Sequence, residues 1–171
     1  MIESSERYAM RGHRVVAKNT AEIVSLATTL VRLLGLSHSK FIEKPELIID
    51  QIASQSIFDL RFELIPDNEW MFPVNGLYDP VRREIKIPHR IWKQLSYKTK
   101  TREYRKRKME ALRVLLHELG HYFLRHEFRY FDEKSSPATR EEDAEYQADL
   151  FADAMMMCLG LQVDLEQMSL F

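Results

Sequence analysis

His117-Glu118-Leu119-Gly120-His121 is the stretch on which this 171-residue chain turns. It has the pattern H-E-x-x-H and lies within a long run of helical periodicity, from about residue 101 to 126. A helix advances by about 100° per residue, so His117 and His121 stand roughly 40° apart on one face and can share one metal ion. Glu118 lies at the flank of that face. There it is poorly placed to bind the same ion but can reach a water beside it, the position of a general base. Leu112, Leu115, Leu116, Leu119 and Phe123 form the opposite, apolar face, so the core does not need the histidines. In a chain of this composition the motif is expected by chance on the order of 0.02 times.

A catalytic zinc site takes three protein ligands and keeps one position open. The last helical run, about residues 140–159, offers Glu145 and Asp149, four apart on one face. Ala148 and Ala152 share that side and would let this helix approach the histidine helix closely. Leu150, Phe151 and Ala154 point the other way, which predicts packing on both sides, and a carboxylate pair on a buried helix calls for a partner. Glu145 is assigned as the third ligand. Asp149 is assigned to the distal N–H of a ligand histidine, fixing its tautomer. An acidic helix start favoured by the helix dipole would explain Glu141, Glu142 and Asp143, but not the alanines beside the last two carboxylates. One zinc ion per chain is the expected cofactor: the ligands alone do not separate zinc from manganese or cobalt, but two histidines and a glutamate together with metal availability favour zinc.

Working outward, residues 83–87 and 77–78 read as a hairpin around Asp79-Pro80, with Ile85 and Ile87 on one face. Phe58, Leu60, Phe62 and Leu64 alternate with polar residues and predict another strand; residues 70–74 are a further candidate. A small, largely antiparallel three-stranded sheet is therefore expected between helical parts. Two N-terminal helices precede it, one from about residue 21 to 34 capped by Asn19 or Thr20, one from about 45 to 54. Gly160 is expected to stop the last helix. The class is α+β. Residues 1–19 read as a loose polar lead-in, 20–160 as one domain, and 161–171 as a short tail.

Composition narrows the function. Hydrophobic residues make up 45% and charged residues 30%, with a net charge of −1. That balance is that of a soluble globular protein and excludes a globally basic nucleic-acid coat. The single cysteine, Cys158, excludes a disulfide framework and a four-cysteine zinc site, and is expected as a buried small hydrophobe. No membrane span is expected. The most apolar early stretch, residues 21–36, is broken by Glu22 and Arg32 and lies too deep for a signal peptide, so the expected location is the cytoplasm.

H-E-x-x-H followed by E-x-x-x-D resembles the gluzincin metallopeptidases. Residues 117–123, HELGHYF, with residues 145–152, EYQADLFA, further resemble the ImmA/IrrE family. Asn75-Gly76-Leu77-Tyr78-Asp79 followed by Ile85-Lys86-Ile87 is similar to that family's glycine–tyrosine hairpin. The resemblance covers roughly residues 20–160. Asp149 stands where Asn is commoner, and Cys158 where Pro is usual. The resemblance implies a zincin-like fold and a zinc-dependent endopeptidase of bacteria, phages or mobile elements. Characterised relatives cleave helix-turn-helix repressors. By the same token His117, His121 and Glu145 would be the ligands, Glu118 the base, and the substrate would lie extended along an edge strand.

Tyr78, Tyr122 and Tyr146 are candidates to stabilise an oxyanion, and His89 and His126 are also chemically able. Extrapolated along the helix, His126 lies about 140° from His121, which disfavours it as a ligand. Lys98, Lys100, Arg102, Arg105, Lys106, Arg107 and Lys108 form a basic run opposed only by Glu103. A solvated segment, in part loop, explains it better than nucleic-acid contact, and a protein substrate is the expected partner. Met155, Met156 and Met157 are expected in the core. The competing class is a protein-binding module, an antirepressor or antitoxin-like partner, that keeps zinc for structure and cleaves nothing.

Overall fold

A computed structural model describes residues 7–36, 44–98, 101–128, 130–131 and 136–161. Lys100, part of the loop at 132–139 and all but the first residue of the tail at 161–171 lie outside them. Among the described residues the fold is α+β, with five α-helices and one three-stranded sheet.

Helix α1 (Thr20–Leu33) starts in a capping box: Asn19 Oδ1 accepts from the Glu22 N–H and the Glu22 carboxylate accepts from the Asn19 N–H. Ile23, Ala27 and Leu30, at helical spacing, are buried. Helix α2 (Leu47–Ala53) buries Ile48 and Ile52. Strands β1 (Arg61–Ile65), β2 (Leu77–Asp79) and β3 (Glu84–Pro88) form a sheet in the order β1-β3-β2. Helices α3 (His89–Leu95), α4 (Arg102–Phe123) and α5 (Ala144–Cys158) complete the list, α5 following a short 3-10 turn over Arg140–Glu142.

The sheet is mixed rather than largely antiparallel. β2 and β3 form the expected hairpin, its turn fixed by Asp79 Oδ1 accepting from the N–H groups of Val81 and Arg82. β1 instead runs parallel to β3, Phe62 beside Ile85 and Leu64 beside Ile87. Alternation assigns faces but not direction, and here residues 66–83 carry the chain back to the same end before β3 begins. Residues 70–74 form no strand. They are held as a loop, with Trp70 Nε1–H donating to the Val74 carbonyl at 2.8 Å. Helix α3 was not expected; it follows directly on Pro88 and is anchored by buried Ile91 and Leu95, one turn apart.

Three further expectations are corrected. The basic run is helical from Arg102, as the periodicity requires, with Thr101 as N-cap, but Lys108 within it is buried rather than solvated, its Nζ donating to the Tyr97 carbonyl at 3.0 Å. Cys158 is exposed, at the end of α5 beside Thr28, and Met157 is exposed too, while Met155 and Met156 are in the core. The lead-in is not loose from residue 7 onward. Val15 is buried, and its N–H donates to the Glu142 carbonyl at 2.8 Å beside a β-bridge between Arg14 and Asp143.

The core lies between α4, α5 and α1, with α5 in the middle. Leu112, Leu115, Leu116 and Leu119 supply the apolar face of α4, and Leu150, Phe151 and Ala154 of α5 are buried, as the two-sided pattern requires. Gly120 of α4 packs on Ala148 of α5 so closely that a Cβ would stand 3.2 Å from the Ala148 Cα. Small residues on both helices therefore set the spacing between the H-E-x-x-H face and Glu145. Gly160, in the left-handed conformation at φ 71°, follows the helix end.

Candidate metal centre

Helix α4 places His117 and His121 side by side, their Nε2 atoms 3.2 Å apart. Helix α5 brings Glu145 against both: one carboxylate oxygen is 3.1 Å from His117 Nε2, the other 3.4 Å from His121 Nε2. The three donor atoms lie within 4.8 Å of one another, a group that could hold a metal ion. Both imidazoles have their other nitrogen occupied. His117 Nδ1 lies 2.9 Å from Asp149 Oδ1, and His121 Nδ1 lies 2.8 Å from His126 Nδ1. Two Nε2 atoms and a carboxylate therefore converge on one point, the donor set of a three-ligand site.

Charge is arranged to match. Burial pushes His117 down, but Asp149 and Glu145 outweigh it and hold its pKa at about 9. The hydrogen bond from His117 holds the Glu145 carboxyl far below the usual range. Burial pushes Asp149 up, but His117 and Arg11 bring it down to about 2. Arg11 pairs with Asp149 at 2.8 Å and Arg113 at 3.3 Å, so this carboxylate is neutralised twice over.

Glu118 lies buried at the flank of the histidine face. Burial raises its pKa against the pull of His117 and His121, and its carboxylate accepts from the Tyr78 backbone N–H. Gly76 makes room for it: a Cβ there would stand 2.8 Å from Glu118 Cγ and 2.9 Å from Oε1. The hairpin thus braces the Glu118 side chain from above. The group opens on a cleft of about 540 Å³, bounded by Val74, Tyr78 and Pro80 on the sheet side and by His13 and Phe128 on the other.

Of the three tyrosine candidates, Tyr78 lines this cleft, its ring stacked on His121 at 6.4 Å between centroids and its pKa pushed up to about 12 by burial and by Tyr122. Tyr122 stands behind it, edge-on at 6.2 Å, and Tyr146 packs under the Arg140 guanidinium, neither on the cleft wall. His89 is exposed at the start of α3 and His126 is taken up by His121 and Gln147.

Several residues were missed. A helix continued to residue 126 would turn His126 away from His121, but α4 stops at Phe123. Arg125 turns left-handed at φ 57°, and the chain folds back so that the His126 N–H donates to the His121 carbonyl at 3.0 Å. Its imidazole is therefore beside His121, and burial together with His121 lowers its pKa to about 3. Gln147 lies at 2.9 Å from His126 Nε2. Asp143, buried at the N-cap of α5, accepts from the Glu145 N–H, the Arg11 and Gly12 N–H groups and the Tyr8 hydroxyl. His13 reaches the cleft, its buried Nε2 without a hydrogen-bond partner among the described residues. Gly12, Val15 and Val16 meet α5 and the turn before it through backbone groups, which leave no mark in the sequence. No family model matches the chain, and neither a curated protein nor a solved structure matches it.

Proposed function

We propose that this chain is a zinc-dependent endopeptidase acting in the cytoplasm on a regulatory protein, a helix-turn-helix repressor of a phage or other mobile element. The observation that carries the hydrolytic part is the buried carboxylate of Glu118 beside the His117, His121 and Glu145 group on the wall of an open cleft. Three convergent donors beside a cleft suit a catalytic site rather than a closed structural one, and two imidazoles with one carboxylate suit zinc. The repressor as substrate rests on the likeness of the motifs to the ImmA/IrrE family.

Zinc bound there would supply a Lewis acid that polarises a carbonyl and acidifies water. Glu118 takes the proton of the attacking water and passes it to the leaving amine. Its raised pKa suits a group that must hold a proton between two steps. Tyr78 stays protonated at neutral pH, and its hydroxyl can donate a hydrogen bond to the developing oxyanion from the cleft wall. The substrate lies extended along the edge of β2 away from β3, where Leu77, Tyr78 and Pro80 border the cleft.

The test compares the native protein with Glu118→Ala. Elemental analysis should find about one zinc per chain in both. New protein N-termini in cells expressing each should appear with the native form alone. Absence of zinc, or identical N-termini, refutes the proposal. A cellular effect that survives in Glu118→Ala would favour the non-catalytic binding module.

A further inference from the structure

A chain of hydrogen bonds runs from His121 back to the N-terminal segment, and its direction can be worked out from one end. Gln147 is fully buried, and its Nε2 lies 2.8 Å from the Val16 carbonyl and also against the Glu141 carbonyl. Carbonyl oxygens only accept, so that end of the amide is the NH2 group and Oε1 faces His126. Oε1, 2.9 Å from His126 Nε2, accepts in turn, so His126 carries a proton on Nε2. His126 is buried with an amide and an imidazole as its hydrogen-bond partners, so it is neutral and its Nδ1 is bare. That Nδ1 faces His121 Nδ1 at 2.8 Å and can only accept. His121 must then bear its proton on Nδ1, which leaves Nε2 bare and turned toward His117 and Glu145.

We propose that His126 and Gln147 are positioning residues that fix the tautomer of His121 for metal binding, with the backbone carbonyls of Val16 and Glu141 as the immovable end of the relay. The two histidines are thus held by different means. Asp149 holds His117 directly and with charge, whereas a neutral relay of two side chains holds His121. The relay adds no charge beside the ion. It also makes a backbone carbonyl about 100 residues earlier in the chain part of the determination of which nitrogen binds.

This inference rests on the metal-centre reading and not on peptidase activity. Zinc affinity would be measured by competition with a chromophoric chelator, on the full chain. His126→Leu should weaken zinc by about 10- to 100-fold. His126→Asn should recover most of that loss, because Asn Oδ1 occupies the place of His Nδ1 and accepts from His121. Nitrogen-15 spectra of the zinc-loaded native protein should place protons on Nδ1 of His121 and Nε2 of His126, a readout that requires no variant to fold. Equal affinity of His126→Leu and native protein, an Asn variant no better than Leu, or a proton on His126 Nδ1 would overturn the relay. A native protein that takes up no zinc would instead refute the metal centre itself.

Discussion

Replacing Gly120 with alanine sets two opposed effects against each other at the junction of α4 and α5. A Cβ at this position would stand 3.1 Å from Phe151 Cδ1, 3.2 Å from the Ala148 Cα and 3.3 Å from the Ala148 carbonyl oxygen. Carbon contacts are comfortable from about 3.5 Å, so α5 must retreat by about 0.3 Å. Two of the three atoms are backbone and cannot rotate away. Alanine in a helix interior gains about 1 kcal/mol over glycine, while overpacking costs about 1–3 kcal/mol. The net expectation is a loss of about 0–2 kcal/mol in the metal-free protein, or about 0–8 °C in melting temperature. The effect on zinc should be larger in proportion. Ala148 lies between Glu145 and Asp149 on α5, and ligand distances tolerate only about 0.2 Å, so affinity should fall by about tenfold or more. Thermal melts of metal-free protein and chelator competition read the two quantities separately. Gly35→Ala is the control: it sits at φ 60° with nothing within 4 Å, so it should lose stability through backbone strain and keep native zinc affinity. A Gly120→Ala protein that gains the full helix-propensity increment and binds zinc as tightly as native would show that this contact does not set the helix spacing.

Gly76→Ala should separate binding from chemistry. Its Cβ would displace Glu118 and not the ligands, so zinc should be retained while hydrolysis falls by about 10²–10⁴-fold, and a fully active variant would contradict the role given to Glu118. Asp149→Ala should weaken zinc by about 10- to 100-fold, while Asp149→Asn keeps an acceptor for His117 Nδ1–H and should lose less, both read by chelator competition. His117, held at about 9 without metal, must lose its proton to bind, so zinc affinity should rise by about tenfold per pH unit from neutrality and level off near pH 9 in a pH series of titrations. The sign for folding is opposite. A pKa raised above the ordinary 6.5 stabilises the metal-free protein fully below that value and ceases to do so as pH climbs through 9, so metal-free melting temperatures should fall over that interval.

What could be read in the sequence was what short-range periodicity determines. The spacing of His117 and His121 placed them on one face, and the apolar leucines of α4 identified the core side without them. The alanines of α5 announced a close helix approach, and Gly120 meets Ala148. Contacts made where an element ends were not legible. His126 escaped because its position was projected along a helix that stops three residues earlier, and a left-handed arginine reverses the chain. β1 was paired the wrong way because alternation is blind to strand direction. In residues 7–19 the contacts of Val15, Val16 and Gly12 run through N–H groups and carbonyls, which every residue carries, and the partners of Tyr8 and Arg11 lie more than 130 positions away, beyond the reach of periodicity.

That early segment has a consequence for the order in which the protein is made. Arg11 and Asp149 are 138 positions apart, and Gly12 and Asp143 are 131 apart, yet both pairs close over Glu145. During synthesis the histidine helix leaves the ribosome before α5 exists, so a nascent chain carries two imidazoles and Glu118 but no third donor. Only when α5 emerges and captures Arg11 and Gly12, made more than a hundred residues earlier, does the cleft acquire its floor. A chain assembled in this sequence lacks its three-donor group while it is being translated. Its slowest folding step should be the long-range closure that also completes that group.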